Sequence, residues 1–265
     1  MNSLKQKRGI AAFGSGAIIG TLGGLVGLGG AEFRLPVLIA FFRFAALEAV
    51  ILNKATSLVV VASALPFRMW TIPFAAVAAQ WEVIVNLLAG SLLGAWVGAS
   101  WATRLKSGQL YRIISILLLV IALVLAFSHE ASGQGHAVSA GVPQMVIGVT
   151  AGFAIGAIAS LLGVAGGELL IPTLVLLYGL DIKLAGSLSL VISLPTMIVG
   201  FTRYSKDASF SVISRNWSFL IVMAIGSIVG TFVGALLLKV IPSSFIIPGL
   251  VAILIISAIK MWRHR

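Results

Sequence analysis

The chain has 265 residues, of which 60% are hydrophobic and 9% charged, with a formal net charge of +11. Soluble globular proteins carry about 25% charged residues, so this chain cannot clothe itself in groups that water solvates. The apolar content equally excludes a disordered or fibrous chain. Apolar runs such as Ile113–Phe127 and Phe245–Ile259 are too long and unbroken for the alternating strands of a transmembrane β-barrel. What remains is an all-α polytopic membrane protein.

The absence of cysteine excludes disulfides and thiolate metal sites. His129, His136 and His264 fall in hydrophilic loops or at the C-terminus, so neither a metal site nor a cofactor is expected. The basic residues lie between apolar runs and form no stripe, which reads as membrane topology and argues against nucleic-acid binding.

A hydrocarbon core of about 30 Å takes ~20 apolar helical residues. In chain order the pattern predicts full spans over 10–28, 47–66, 82–102, 111–128, 143–163, 183–201, 217–238 and 245–262. Two shorter apolar segments, 31–42 and 167–178, follow glycine-rich breaks. Twelve helical residues reach only ~18 Å, so these are expected to be half-helices. Residues 1–9 with the apolar run behind them resemble a signal peptide, but the run recurs in mid-chain and is read as part of the fold.

Four basic clusters set the orientation: Lys5, Lys7 and Arg8; Arg104, Lys106 and Arg112; Arg203, Lys206 and Arg215; Lys260, Arg263 and Arg265. Placed in the cytoplasm they hold twelve of the 18 Lys and Arg, against Arg68, Lys183 and Lys239 on the other side. Both termini are therefore expected inside. Trp70, Trp81, Trp101, Trp217 and Trp262 fall near span ends, as an interfacial belt requires.

The chain repeats itself. At an offset of 136, Gly16, Gly20, Leu25, Gly27, Gly30, Glu32, Pro36 and Leu38 meet Gly152, Gly156, Leu161, Gly163, Gly166, Glu168, Pro172 and Leu174. The same offset matches Gly90-Ser91, Gly94 and Gly98 with Gly226-Ser227, Gly230 and Gly234. In between it slips to 132, where Ser57-Leu58 meets Ser189-Leu190. The expected organisation is a first repeat over 1–128, an extracytoplasmic linker over 129–142 and a second repeat over 143–265. By the charge count the loop at Arg68 is outside and its counterpart at Arg203 inside, so the two repeats are expected to enter the membrane with opposite polarity, as in many secondary transporters. Glycines spaced by four put small surfaces on one helix face, which lets helices approach closely in lipid.

Gly27-Leu28-Gly29-Gly30-Ala31-Glu32-Phe33-Arg34-Leu35-Pro36, repeated as Gly163-Val164-Ala165-Gly166-Gly167-Glu168-Leu169-Leu170-Ile171-Pro172, resembles the TauE/SafE family of membrane permeases. So do the small-hydroxyl motifs Ala55-Thr56-Ser57-Leu58 and Gly186-Ser187-Leu188-Ser189-Leu190 that open the following helices. The resemblance covers nearly the whole chain. It implies a bacterial-type cytoplasmic membrane protein that moves sulfur-containing anions, sulfite and small organosulfonates being the named examples. Two departures stand out: Ala165 replaces the Gly29 of the first copy, and Leu170 stands opposite Arg34.

Irregular backbone at membrane depth survives where it is buried in protein or lines a cavity. Gly29-Gly30 and Gly166-Gly167 provide it, each before a short helix whose free N–H groups and positive dipole end suit an oxyanion. Gly27, Pro36, Gly163 and Pro172 are the structural members of this motif. The expected substrate-binding set is Gly29, Gly30, Ala31, Arg34, Lys54, Thr56, Ser57, Gly166, Gly167, Ser187 and Ser189. The hydroxyls either face the substrate or bond their own helix carbonyls. Arg34 contacts substrate, snorkels or pairs elsewhere. Lys54, at a helix start near the inner face, draws in anions or is solvated.

Glu32 and Glu168 are the sharpest feature, because an ionisable group in a membrane costs roughly 2.5–3.5 kcal/mol on insertion scales. They either cap their half-helices or carry protons, a charged carboxylate competing with the substrate anion for the same N–H groups. The expected partners are thus a small anion, protons and the lipid bilayer; a homodimer is compatible with the sequence. The leading reading is a secondary transporter, with an anion channel or a carboxylate transporter as alternatives. An intramembrane enzyme lacks any catalytic set.

Overall fold

A computed structural model describes residues 2–26, 30–128, 141–237 and 243–262. Expectations that fall on Gly27, Gly29, the three histidines, Lys239 and linker residues 129–140 lie outside the described residues. Every regular element among those described is helical. In chain order they are α1 (Asn2–Val26), α2 (Ala31–Ala40), α3 (Ala46–Thr71), α4 (Phe74–Ala78), α5 (Trp81–Ala102), α6 (Ser107–Ser128), α7 (Val142–Leu162), α8 (Gly167–Tyr178), α9 (Ile182–Tyr204), a 3₁₀ turn (Ala208–Ser211), α10 (Val212–Arg215), α11 (Trp217–Leu237) and α12 (Ser243–Trp262). Six of the long helices, α3, α5, α6, α7, α9 and α11, contain stretches long and apolar enough to cross a membrane. The protein is an integral multi-pass membrane protein in architecture. Its outer face is correspondingly apolar, with Leu93, Ile116, Leu123, Ile225 and Phe232 exposed. Trp81, Trp101, Trp217 and Trp262 are exposed at helix ends.

Both glycine breaks turn the chain back on itself. The α7 helix closes on Gly163 in the left-handed region (φ 67°), and α8 starts from Gly166, also left-handed (φ 85°). This turn requires glycine, because a Cβ is strained at positive φ. The α8 helix then runs back along α7, so that the Gln144 amide near the start of α7 donates to the Leu177 carbonyl at 2.8 Å. The first half behaves alike. Gly30 (φ 70°) opens α2, and the chain after α2 returns Phe44 to Arg8 of α1, whose guanidinium lies 5.3 Å from its ring.

These contacts fix two ends of the bundle. Arg8, Phe44 and Phe219 gather at one, together with the Glu48–Arg215 ion pair (2.6 Å) and the Arg203–Ser100 hydrogen bond (2.7 Å). Asn86, Gln144 and Tyr178 gather at the other. The α1–α2 hairpin enters from the first end and the α7–α8 hairpin from the second.

Each helix pair has a counterpart at the repeat offset. The α1 helix packs along α11 and α7 along α5, and these are the two most extensive contacts in the molecule. A Cβ at Gly16 or Gly20 would land on the carbonyls of Met223 or Ser227, and one at Gly152 or Gly156 on those of Leu87 or Ser91. Reciprocally, Gly226 and Gly230 face the carbonyls of Phe13 and Ala17, and Gly90 and Gly94 those of Val149 and Phe153. Each of these pairs maps onto its counterpart when 136 is added to the member in the first repeat and subtracted from the member in the second.

The centre lies where α2, α3, α7, α8 and α9 meet. Leu35, Leu38, Ile51 and Leu162 fill one side, and Leu174, Leu188 and Ile192 the other.

Candidate functional site

The first turn of each half-helix carries a buried carboxyl. Glu32 and Glu168 are each 1% exposed, and they neighbour one another across the two hairpins. Outside one another and their own first-turn backbone, their four carboxyl oxygens find no hydrogen-bond partner, and Arg34 acts on Glu32 through its charge. The residues that precede the two helices, Gly30 and Gly166, have no side chain with which to cap them, and each glutamate's own backbone is the group its carboxyl reaches in the first turn. The backbone around them is also incompletely bonded. The N–H groups of Phe33 and Arg34 go to the Gly30 carbonyl, and those of Leu169 and Leu170 to Gly166. The N–H groups of Ala31, Glu32, Gly167 and Glu168 lie ahead of the first intrahelical bonds of the two helices. Pro36 and Pro172 stand four residues past the two glutamates. Lacking an N–H, they leave the Glu32 and Glu168 carbonyls without the usual helical donor.

The two cations expected from sequence are buried as well. Arg34 is fully buried; it neither snorkels nor reaches solvent. Its guanidinium donates to Asn53 Oδ1 (3.2 Å), Ser57 Oγ (3.0 Å) and Ser227 Oγ (3.2 Å). Lys54, read from sequence as near the inner face, is fully buried instead. The reason is that α3 begins eight residues earlier and carries Lys54 inward to the end of α7. There its ammonium donates to Ser160 Oγ at 3.3 Å, beside the negative end of the α7 dipole. Tyr204 closes the same corner by donating to the Ser160 carbonyl at 2.8 Å.

The hydroxyl motif divides. Thr56 donates to Leu52 O (2.9 Å), Ser187 to Lys183 O (3.3 Å) and Ser189 to Gly186 O (2.9 Å). These protons are therefore spent on their own helices. Ser57 alone of the four bonds a distant side chain, that of Arg34.

Three residues outside the expected set organise the site. Asn53 links both breaks: its amide donates to Ala31 O (2.9 Å) and Leu162 O (3.1 Å) while its oxygen accepts from Arg34. Ser160 holds Lys54, and Ser227 holds Arg34. A lone asparagine within an apolar run was the available signal for Asn53. Ser227 and its counterpart Ser91 recur at the repeat offset, but the glycines around them disguise them as packing. Ser91 hydrogen-bonds Thr196 (2.7 Å), because Leu170 leaves it no guanidinium.

Asn53→Ala is expected to destabilise the protein by at least about 2 kcal/mol, since it orphans two buried carbonyls and loosens Arg34. Thermal unfolding in detergent micelles reads this directly; an unchanged midpoint would remove Asn53 from the account.

Broken helices meeting inside an apolar bundle, with a pair of buried carboxyls at their starts and buried cations in the same core, are the make-up of a membrane permease. A family model for "Sulfite exporter TauE/SafE" matches residues 8–261. The chain belongs to the TauE/SafE family, a family of exporter-type membrane permeases. Neither a curated protein nor a solved structure gives a significant match.

Proposed function

We propose that the chain is a secondary permease that exports a small sulfur-containing anion, sulfite or an organosulfonate, by alternating access between two inverted repeats, 1–128 and 143–265, joined outside the cell by 129–142. The inverted arrangement is supported by the reciprocal contacts at the repeat offset, by the two hairpins entering from opposite ends, and by the charge count that puts both termini in the cytoplasm. Two similar halves of opposite polarity have two near-equivalent packings, one open to each side.

The observation that carries the reading is the meeting of Glu32 and Glu168 at two half-helix N-termini, buried against one another with no hydrogen bond to their carboxyl oxygens from any third residue. The anion takes the first-turn N–H groups of Ala31, Glu32, Gly167 and Glu168, with Arg34 and Lys54 supplying positive charge. Two adjacent carboxylates and an incoming anion repel one another, so the anion enters as the carboxyls take up protons. Anion and proton then move in the same direction. Outward movement of a monovalent anion at 100 mV, inside negative, gains ~2.3 kcal/mol, which by RT arithmetic is roughly a 50-fold concentration ratio. That gain belongs to an anion leaving alone; a co-moving proton cancels the charge, and the coupled export is then driven by the concentration and pH differences.

The test is a thermal-shift panel on purified protein with sulfite, organosulfonates, sulfate, carboxylates and phosphate at two pH values. Sulfite or an organosulfonate is expected to raise the unfolding midpoint, more at the lower pH. If a carboxylate alone does so, the sulfur substrate falls and the anion site stands. If no anion does, the site falls too.

A further inference from the structure

We propose that the end of the bundle where α5 meets α9 binds the headgroup of an anionic phospholipid between Arg203 and Lys206. This rests on observations separate from the transport site. The Arg203 guanidinium and the Lys206 ammonium both sit over the ring of Trp96, 5.9 Å and 5.1 Å from its centroid. Arg203 is held there by its Nε–H, which donates to Ser100 Oγ at 2.7 Å. That bond leaves the terminal N–H groups of the guanidinium for another acceptor.

Two cations brought to one indole repel each other, and the cost is relieved by an anion between them. Among the described residues the single ion pair is Glu48–Arg215; the neighbouring Asp207 turns its Oδ1 to the Ser209 N–H at 2.8 Å and makes no ion pair with either cation. A phosphodiester fits the vacancy in charge and in hydrogen-bond demand, since guanidinium and ammonium are the usual phosphate donors.

The position selects a lipid over a free anion. Trp96 is 40% exposed on the apolar flank of α5, and Leu93, Val97 and Ile198 of the neighbouring turns are exposed as well, a surface for acyl chains. Tryptophan with basic residues at the end of a span is the arrangement of the headgroup layer. The counterparts at the repeat offset are Phe232, Leu236 and Thr71 in place of Trp96, Ser100 and Arg203. Trp96, Ser100 and Arg203 are thus not duplicated in the repeat, and they lie at the end that the charge count puts in the cytoplasm, where anionic lipids concentrate.

The test compares unfolding midpoints of the full-length protein in nanodiscs of phosphatidylcholine alone and with added phosphatidylglycerol. Wild type is expected to gain several degrees from phosphatidylglycerol. The Arg203→Gln/Lys206→Gln variant is expected to lose most of that gain, and Lys206→Gln alone about half, which keeps the test open if the double variant does not fold. Arg104→Gln/Arg112→Gln, which removes two charges from the neighbouring loop, is expected to keep it. The proposal is overturned if the Arg203/Lys206 variants keep the full gain, if the loop variant loses as much, or if inorganic phosphate at matched ionic strength reproduces the effect.

Discussion

Gly94→Ala and Gly230→Ala are each expected to destabilise the protein by about 2 kcal/mol, and the leucine variants to yield no folded protein. A methyl at Gly94 would meet the carbonyl oxygen of Phe153 on α7, and one at Gly230 that of Ala17 on α1. Backbone carbonyls cannot turn aside as side chains do, so the helices must part. Overpacking of this kind costs typically about 1–3 kcal/mol and more for larger side chains. The two substitutions stand 136 residues apart in equivalent surroundings, so their losses are expected to agree within about 0.5 kcal/mol, the range in which independent sites add. Gly14→Ala is the control. Nothing lies within 4 Å of its Cβ, and a helical alanine there gains propensity. Denaturation titrations in mixed micelles measure all of these. Tolerance of leucine at Gly94 would mean that α5 and α7 are not in the close contact described.

The second large effect concerns function. Glu32→Gln and Glu168→Gln are each expected to cut anion transport at least 10-fold while leaving the folded protein as stable as wild type or more so. Glutamine keeps the shape of the side chain and removes the charge. The charge is what opposes folding here, since the burial of two carboxyls side by side is only partly offset by Arg34 and by their own first-turn backbone. A stabilised protein that no longer transports would mark a residue kept for its chemistry. If instead the variants unfold more readily, the carboxyls hold the hairpins together. If they transport at the wild-type rate, they carry no protons. Assays of flux and of thermal midpoint on the same preparations separate the three results.

Much of this arrangement can be read from composition and spacing, because a membrane protein has few ways to satisfy its backbone. Six of the eight expected spans are matched by helices long and apolar enough to cross a membrane, and the breaks follow from Gly30 and Gly166, whose positive φ is the conformation glycine allows. Glu32 and Glu168 stand out by cost alone. What the spacing does not carry is which face of a helix a polar group takes. Ser57 and Thr56 are neighbours in one motif, yet one bonds Arg34 and the other its own helix. Lys54 and Asn53 likewise face the ends of other helices, a matter of packing between segments more than 100 residues apart in sequence. The meeting of the two carboxyls depends on the same long-range packing.

The most direct test of the central claim, that anion and proton move together through the paired carboxyls, is a proton-flux measurement. Proteoliposomes holding a pH-sensitive dye are loaded with sulfite and diluted into sulfite-free buffer. With the membrane potential clamped and passive leakage of the uncharged acid subtracted with empty liposomes, outward sulfite flow is expected to alkalinise the lumen in step with the anion released, and Glu32→Gln/Glu168→Gln vesicles to show neither. Sulfite release by the wild type with no change in lumenal pH, or proton movement undiminished in the double variant, would contradict the account.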